Sequence, residues 1–300
     1  MYVITGASGN TGHIIAKKLL ANGQKVRVVA RHSEGLQPLV VEGAQPFIAN
    51  LADKELLTRA FAGARAVYVM IPPSPASPDY RAEQDRISGT IASALQAAAV
   101  KYAVSLSSIG ADKPDKVGPV VGLHYLEERL NHVTGLNALH LRPAYFMENT
   151  LAQAGIVRAM GITAGPLRPD LKLPMIATRD IASVAADALL NLDFRLQQTQ
   201  ELHGQRDLSM TEVAATIGAA IGKPDLAYQQ ISDDQFRAAL GQIGMSQNTA
   251  DLILEMAAAL NSGYMHALEP RSARNTTPTA YESFVAQDFV PLYQKLALAA

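Results

Sequence analysis

The sequence predicts an α/β fold centred on a doubly wound parallel sheet, followed by a smaller, mainly helical α/β lobe. Two observations support this prediction. An apolar strand at the start of the chain runs directly into the glycine-rich segment Gly6-Ala-Ser-Gly9-Asn-Thr-Gly12. Beyond it, short apolar runs alternate with helical patterns as far as residue 145, which is the order of elements in a parallel sheet.

The glycine-rich segment predicts a phosphate-binding turn between the first strand and the first helix. A helix N-terminus carries a partial positive charge and unpaired N–H groups, and both bind phosphate. Gly6 allows the turn, Gly9 lets the backbone approach a pyrophosphate, and Gly12 lets the helix pack on the strand. A second apolar strand follows at residues 25–30. We therefore predict a βαβ unit that binds a dinucleotide through the glycines and the polar residues beside them, Ser8, Asn10 and Thr11.

The composition excludes several classes of protein. The chain has 300 residues and 48% hydrophobic content, and no apolar run approaches the ~20 residues of a membrane span. There is no cysteine, so disulfides and thiolate chemistry are excluded, and the seven histidines lack the spacing of zinc sites. A net charge of −1 without a basic cluster argues against direct nucleic-acid binding. No secretory signal precedes Met1, so we expect a soluble cytoplasmic protein without a metal.

The end of the second strand bears on the choice of cofactor. NAD-binding proteins usually place an acidic residue there for the ribose hydroxyls, whereas this chain has Arg31. A guanidinium can bind a 2′-phosphate through paired charge-assisted hydrogen bonds, so the position favours NADP(H) over NAD(H). Two alternatives stay open: Arg31 is a solvated loop charge, or Glu34 contacts the ribose.

The third and fourth strands are predicted at residues 46–49 and 66–70. Asn50 follows the third strand, and Asp53 is expected to cap the next helix. The fourth strand ends at a proline-rich segment, residues 71–78, because proline cannot donate to a sheet. Ligands bind at the carboxyl edge of a parallel sheet, so Asn50, Ile71 and Pro72 are predicted to face the cofactor. A stiff surface loop is the alternative for the prolines.

Two more strands complete the predicted sheet, at residues 103–106 and 138–141. Helices at 81–99 and 120–133 are expected to precede them. The residues that follow these strands reach the same edge of the sheet, which adds a final group to the predicted cofactor contacts: Ser107, Pro143, Tyr145 and Phe146.

Several segments resemble the NmrA-like group of atypical short-chain dehydrogenases. They are the glycine motif, Ser-Ser-Ile-Gly-Ala at 107–111, Leu-Arg-Pro-Ala-Tyr-Phe-Met-Glu-Asn at 141–149, and Thr-Thr-Pro-Thr at 276–279. The resemblance covers nearly the whole chain. It implies a Rossmann-type NAD(P)-binding domain at 1–145, joined by about 176–198, and a smaller, interleaved substrate-side lobe at 146–300. Three further segments read as capping boxes that open helices: Ser209-x-x-Glu212, Ser232-x-x-Gln235 and Thr279-x-x-Glu282.

The catalytic pair of the wider superfamily, Tyr-x-x-x-Lys, is predicted to be absent. In extended members the lysine lies four residues before a glutamate. Taking Glu128 as that glutamate places His124 at the lysine position and Val120 at the tyrosine position. His124 is then expected to face the cofactor as a proton donor or substrate contact, although a lone histidine on a helix is usually structural.

Two other hydroxyls are weaker catalytic candidates. Ser108 resembles the superfamily's catalytic serine, and its hydroxyl could instead close the strand end. Tyr125, with Arg129 one turn later, is a less favoured tyrosine base and reads more readily as a structural residue.

The sequence leads to two functional hypotheses. The first is an NADPH-dependent oxidoreductase that reduces a small electron-poor acceptor such as a quinone or dye, since these accept a hydride readily and draw a proton from water. The rival is a redox sensor that binds NAD(P)(H), turns nothing over and acts through a protein partner.

Overall fold

The computed structural model describes residues 1–298. Its strands are β1 (Tyr2–Thr5), β2 (Val26–Ala30), β3 (Gln45–Ile48), β4 (Ala66–Val69), β5 (Tyr102–Leu106), β6 (Asn137–Pro143), β7 (Tyr145–Phe146), β8 (Thr163–Gly165), β9 (Leu173–Ile176), β10 (Gln197–Leu202), β11 (Asp207–Leu208) and β12 (Tyr228–Gln230). Its helices are α1 (Asn10–Ala21), α2 (Gln37–Val41), α3 (Lys54–Phe61), α4 (Tyr80–Ala97), α5 (Val121–Asn131), α6 (Gln153–Met160), α7 (Thr178–Asn191), α8 (Met210–Ala220), α9 (Asp233–Gln242), α10 (Gln247–Ser262), α11 (Tyr281–Phe284) and α12 (Val290–Leu298).

The central sheet has seven strands in the order β10-β6-β5-β4-β1-β2-β3. Every neighbouring pair in it is parallel. The chain builds outward from β1 to β3 and then restarts on the other side of β1 with β4, which places a topological switch between β1 and β4. The doubly wound α/β prediction is confirmed, and the six predicted strands lie within two residues of the observed ones.

Helices cover both faces of this sheet, which explains why its central strands are continuous apolar runs. Both β1 and β4 are buried along their whole length. One face packs against α1 and α7, with Ile15 and Leu19 in the same cluster as Ile181. The other face packs against α3, α4 and α5. Two late elements thus belong with the central sheet: β10 is its edge strand, and α7 covers one of its faces.

The smaller lobe contains a three-stranded sheet, β11-β9-β7, and a two-stranded sheet, β12-β8. Tyr281, Phe284 and Phe289 are buried in its core with side chains of α8. Glu255 on α10 links this lobe to the region around the central sheet. It forms an ion pair with Arg81 at 2.8 Å and accepts a hydrogen bond from the N–H of Gly118 at 3.2 Å. None of the helices within residues 1–298 is long and apolar enough to cross a membrane.

Two of the three predicted capping boxes are confirmed, and the third is wrong. Ser209 with Glu212 and Ser232 with Gln235 make both reciprocal bonds. Thr279 instead donates its N–H and hydroxyl to the carboxylate of Asp180, at 3.0 and 2.8 Å. The helix therefore begins later, at Tyr281, with Ala280 as its N-cap.

Candidate functional site

A cavity of about 660 Å³ lies at the carboxyl edge of the sheet, between the sheet and the smaller lobe. Residues that follow β4, β5 and β6 form one wall, and the segment 171–174, α10 and the segment 265–267 form the opposite wall. Most of the lining is apolar. Ligands of open α/β sheets bind at this edge, so the cavity is the candidate site.

The glycine turn borders this cavity through Met70. Gly6 has a φ of +61°, and a Cβ on it would lie 2.8 Å from Met70 Sδ, while Met70 is part of the cavity wall. A Cβ on Gly12 would lie only 2.4 Å from the carbonyl oxygen of Gly6. Gly9 is the N-cap of α1 and offers no side chain to the first N–H groups of the helix. The three glycines therefore leave the backbone of the turn open to a ligand, and its N–H donors suit a pyrophosphate.

The polar residues of the turn differ in exposure. Ser8 and Asn10 are exposed beside the glycines, where a phosphate could reach them. Thr11 is buried, and its Oγ1 accepts a hydrogen bond from the hydroxyl of Tyr68 at 3.0 Å. The Thr11 side chain thus packs inward and joins α1 to the sheet.

Arg31 lies on a segment that touches the glycine turn. A Cβ on Gly35 would lie 2.7 Å from Cβ of Ser8, so the segment after β2 packs directly on the turn. Arg31 and Glu34 are both exposed there. Asn50 is exposed after β3, and its Oδ1 accepts the N–H of Ala52 at 3.0 Å. The predicted ribose and phosphate contacts thus lie at successive strand ends along one edge.

Most of the predicted contacts beyond β4 line the cavity. They are Ile71, Ser107, Pro143, Tyr145 and Phe146. Pro72 is the exception, since the neighbouring Pro73 takes its place in the wall. Of the methionines, Met256 and Met265 reach the cavity from the smaller lobe.

Glu127, the neighbour of Glu128, is the inward-facing glutamate of α5. It is 5% exposed and pairs with Arg142 through bonds of 2.9 and 2.6 Å, and it also accepts a hydrogen bond from the hydroxyl of Ser107. The side chain of Glu128 is 54% exposed. The predicted register took Glu128 as its reference, and the contact with Arg142 buries Glu127 instead.

A register counted from Glu127 brings different residues to the lysine and tyrosine positions. Four residues before Glu127 is Leu123, and four before that is Pro119, and both line the cavity. Counted from Glu127, the lysine and tyrosine positions are therefore both apolar. The cavity wall, as far as residues 1–298 describe it, contains no Tyr-x-x-x-Lys pair.

His124 and Tyr125 lie outside the cavity wall. Nδ1 of His124 is 2.8 Å from the carbonyl oxygen of Ala111, and its Nε2 is 3.5 Å from Glu128. Tyr125 is 40% exposed and lines a separate surface groove between α4 and α5. Of the predicted catalytic residues, Ser108 alone reaches the cavity, and its hydroxyl donates to the carbonyl of Ile109 at 2.9 Å. The catalytic roles of His124 and Tyr125 stay predictions that the geometry does not favour.

The two tyrosines in the cavity wall are unsuited to act as bases. Burial raises the pKa of Tyr145 to about 12, although its hydrogen bond with Asn149 opposes the shift. Burial also raises the pKa of Tyr80, and the charge of Glu83 adds to this. Both phenols therefore stay protonated near neutral pH, so neither can serve as the tyrosinate of a dehydrogenase.

Sequence reasoning missed several polar residues of the cavity. They are Tyr80, Gln84, Asn149, Lys172, Asp207 and His266. Lys172, Asp207 and His266 come from segments that the chain brings to the cavity only through the smaller lobe. Gln84 and Tyr80 could have been found, because they lie on one face of α4 at the i, i+4 spacing, directly after the proline-rich segment.

Comparisons with known proteins agree with this arrangement. NAD(P)H azoreductase of Xenophilus azovorans is 28% identical over 269 residues, which are 88% of this chain and 89% of that protein. Quinone oxidoreductase 2 of Escherichia coli K12 is 27% identical over 268 residues, again 88% and 89% of the two chains. The crystal structure of NADPH-dependent quinone oxidoreductase QOR2 from Escherichia coli, complexed with NADPH, superposes with a TM-score of 0.80. It is 24% identical and covers 98% of this chain and 100% of that one, which shows a common fold.

The family model described as NmrA-like family matches residues 2–285. That match runs from β1 through the glycine turn and both walls of the cavity into the last helices. On this evidence the chain belongs to the NmrA-like family.

Proposed function

We propose that this protein is an NADPH-dependent oxidoreductase that reduces a small electron-poor acceptor such as a quinone or a dye. The observation that carries the proposal is the position of the cavity. It adjoins the glycine turn through Met70 and lies over the carboxyl ends of β4, β5 and β6. An acceptor in this cavity would therefore lie beside a dinucleotide bound along the same edge.

The glycine turn is the part of the chain that would hold a nicotinamide cofactor. Backbone N–H groups at the start of α1 would bind the pyrophosphate, and the close approach of Gly6 to Gly12 would keep these donors in place. The part of the cavity wall that follows β4 and β6 contains Met70, Ile71 and Phe146. The cofactor would supply the hydride, and the residues of this chain would orient it and exclude water.

The lining of the cavity favours an acceptor that needs no tyrosine base. Pro119 and Leu123, eight and four residues before Glu127, are apolar. The phenols of Tyr80 and Tyr145 stay protonated near neutral pH, so neither tyrosine of the wall is suited to deprotonate an alcohol. A quinone accepts a hydride without prior proton transfer, and the resulting hydroquinone anion takes a proton from water, whereas a cationic dye becomes neutral on accepting a hydride and needs no proton. The names of the azoreductase and quinone oxidoreductase relatives support the same class of acceptor.

Stopped-flow oxidation of bound NADPH tests this proposal. We expect acceptor-dependent loss of NADPH absorbance with quinones and dyes, and no NADP⁺ reduction with simple secondary alcohols. A protein that binds NADPH yet shows no loss of absorbance with any acceptor would instead be a redox sensor that acts through a protein partner.

Preference for NADPH over NADH is expected to depend on Arg31. Arg31→Ala removes a charge-assisted contact to the 2′-phosphate, which is worth about 1.5–3 kcal/mol. We expect NADPH to bind roughly ten- to a hundredfold more weakly and NADH to bind almost unchanged, as measured by fluorescence titration. Arg86→Ala removes another exposed arginine, on α4, and is the control for general charge effects. An equal loss for both cofactors in Arg31→Ala would show that Arg31 does not contact the phosphate.

A further inference from the structure

His266 is the only histidine in the cavity wall, as far as residues 1–298 describe it. It lies in the segment between α10 and α11 and is exposed, so its ring is open to a molecule that enters the cavity. Imidazole is the side chain that ordinarily gains and loses a proton near neutral pH. The wall therefore contains one group that is suited to deliver a proton to a bound acceptor.

The backbone is held on both sides of His266. Met265 donates its N–H to the last turn of α10 at 3.0 Å, and Leu268 donates its N–H to the carboxylate of Glu201 at 3.0 Å. Met265 packs in the core of the smaller lobe, whereas Ala267 packs against the core beside the central sheet. His266 thus lies where the segment crosses from one core to the other, which is where the cavity lies.

The same segment contacts the wall that follows β5. A Cβ on Gly110, whose φ is +90°, would lie only 2.8 Å from Cγ of Met265. Gly110 comes directly after Ser108 and Ile109, which line the cavity. His266 therefore lies beside the place where the two walls meet.

One nitrogen of the His266 ring is already bound. Nδ1 is 2.8 Å from the carbonyl oxygen of Gly263. A carbonyl can only accept a hydrogen bond, so Nδ1 carries a proton whether the ring is neutral or charged. Nε2 makes no hydrogen bond to any other residue within 1–298. Nε2 is therefore the nitrogen that can pass a proton to a ligand.

The other charged side chains of the cavity wall have partners of their own. Lys172 forms an ion pair with Glu212, and Asp207 forms one with Arg271. Within the described part of the chain, His266 is thus the ionisable group of the wall that is left free to exchange a proton with an acceptor.

We propose that His266 is the proton donor for the reduction of a quinone in this cavity. This inference rests on the proposed function. The quinone gains a hydride, with both its electrons, as the C–H bond of the reduced nicotinamide breaks, and negative charge develops on a quinone oxygen. The Nε2–H bond of the charged ring breaks and an O–H bond forms on that oxygen, while the electron pair stays on Nε2. The neutral ring then takes up a proton from water, so water remains the final source.

The test compares an acceptor that needs a proton with one that does not, in the wild type and in His266→Asn. They are 2-methyl-1,4-naphthoquinone and crystal violet, a cation that becomes neutral when it accepts a hydride. Asparagine can keep the bond to Gly263 but cannot release a proton. We expect the single-turnover rate of NADPH oxidation by the quinone to fall about ten- to a hundredfold, the low end for a general acid because water can replace the ring. The rate with crystal violet should not fall.

His132→Asn is the matched control, and both rates should keep their wild-type values in it. His132 is an exposed histidine outside the cavity wall, and its Nδ1 also lies near a backbone carbonyl, that of Glu128, at 2.6 Å. An equal loss for both acceptors in His266→Asn, or no loss for either, would overturn the role of His266 alone. A wild type that reduces neither acceptor would overturn the proposed function and this inference together.

Binding provides a readout that does not depend on turnover. The anion of 2-hydroxy-1,4-naphthoquinone resembles the oxygen that becomes charged, and its binding to the NADP⁺ complex is measured by calorimetry at about pH 6, where an ordinary histidine is mostly charged. We expect His266→Asn to bind this anion about tenfold more weakly, the size of one charge-assisted hydrogen bond, and to bind neutral 2-methyl-1,4-naphthoquinone as the wild type does. Unchanged affinity for the anion would show that Nε2 does not reach the oxygen of the acceptor.

Discussion

Gly12→Ala is expected to weaken NADPH binding by at least about a hundredfold. The added Cβ would lie 2.4 Å from the carbonyl oxygen of Gly6, and the backbone of the turn cannot yield as a flexible side chain can. The N-terminus of α1 must therefore move away from the phosphate position. Loss of one or two charge-assisted hydrogen bonds, at about 1.5–3 kcal/mol each, gives a decrease of this size. Titration of NADPH fluorescence measures it.

Gly89→Ala is the matched control for this variant. Gly89 also lies in a helix, but a Cβ there would meet no atom within 4 Å. We expect NADPH affinity to stay at the wild-type value in Gly89→Ala. Wild-type affinity in Gly12→Ala would show that the cofactor does not use this turn.

Arg142→Met is expected to lower the free energy of unfolding by about 3–5 kcal/mol, because it leaves Glu127 buried without its partner. The pair is held by two hydrogen bonds, and Glu127 is 5% exposed. Urea denaturation followed by circular dichroism measures the change. Because Ser107 also donates to Glu127, the same variant should loosen the end of β5 at the cavity.

The double variant Glu127→Met/Arg142→Met tests the explanation. It removes both charges, so its loss of stability should be clearly smaller than that of Arg142→Met alone. Lys17→Ala breaks an exposed pair with Glu42 and should leave the denaturation midpoint unchanged. A double variant as unstable as the single one would mean that lost packing, and not an unpaired charge, explains the effect.

Local patterns in the sequence were sufficient for the sheet and the glycine turn. Strand ends were predicted within two residues because apolar runs, glycines and prolines act over a few residues. Asp53 was correctly expected to cap α3, and its carboxylate accepts the N–H of Leu56 at 3.0 Å. The short helix α2 was missed, since five residues carry too little periodicity to be recognised.

The errors occurred where a distant residue decides the outcome. Glu127 and Glu128 are chemically identical, and the contact with Arg142 on β6 determines which of them is buried. Thr279 has the pattern of a capping residue, but its hydroxyl donates to Asp180 on α7 instead of accepting an N–H of the helix. The position of the Gln84 carboxamide depends on Pro119 and Gly122, which lie more than thirty residues away along the chain. None of these contacts can be predicted from the residues that are neighbours in the sequence.

The late arrival of α7 has a consequence for how the chain is synthesised. This helix covers the apolar face of α1, where Ile15 and Leu19 are fully buried. When residue 146 leaves the ribosome, six strands of the sheet are available, but that face of α1 is still bare. At roughly 5–20 residues per second, α7 follows within several seconds. During that interval the nascent chain presents a hydrophobic surface near its N-terminus, which we expect a ribosome-associated chaperone to cover until α7 docks.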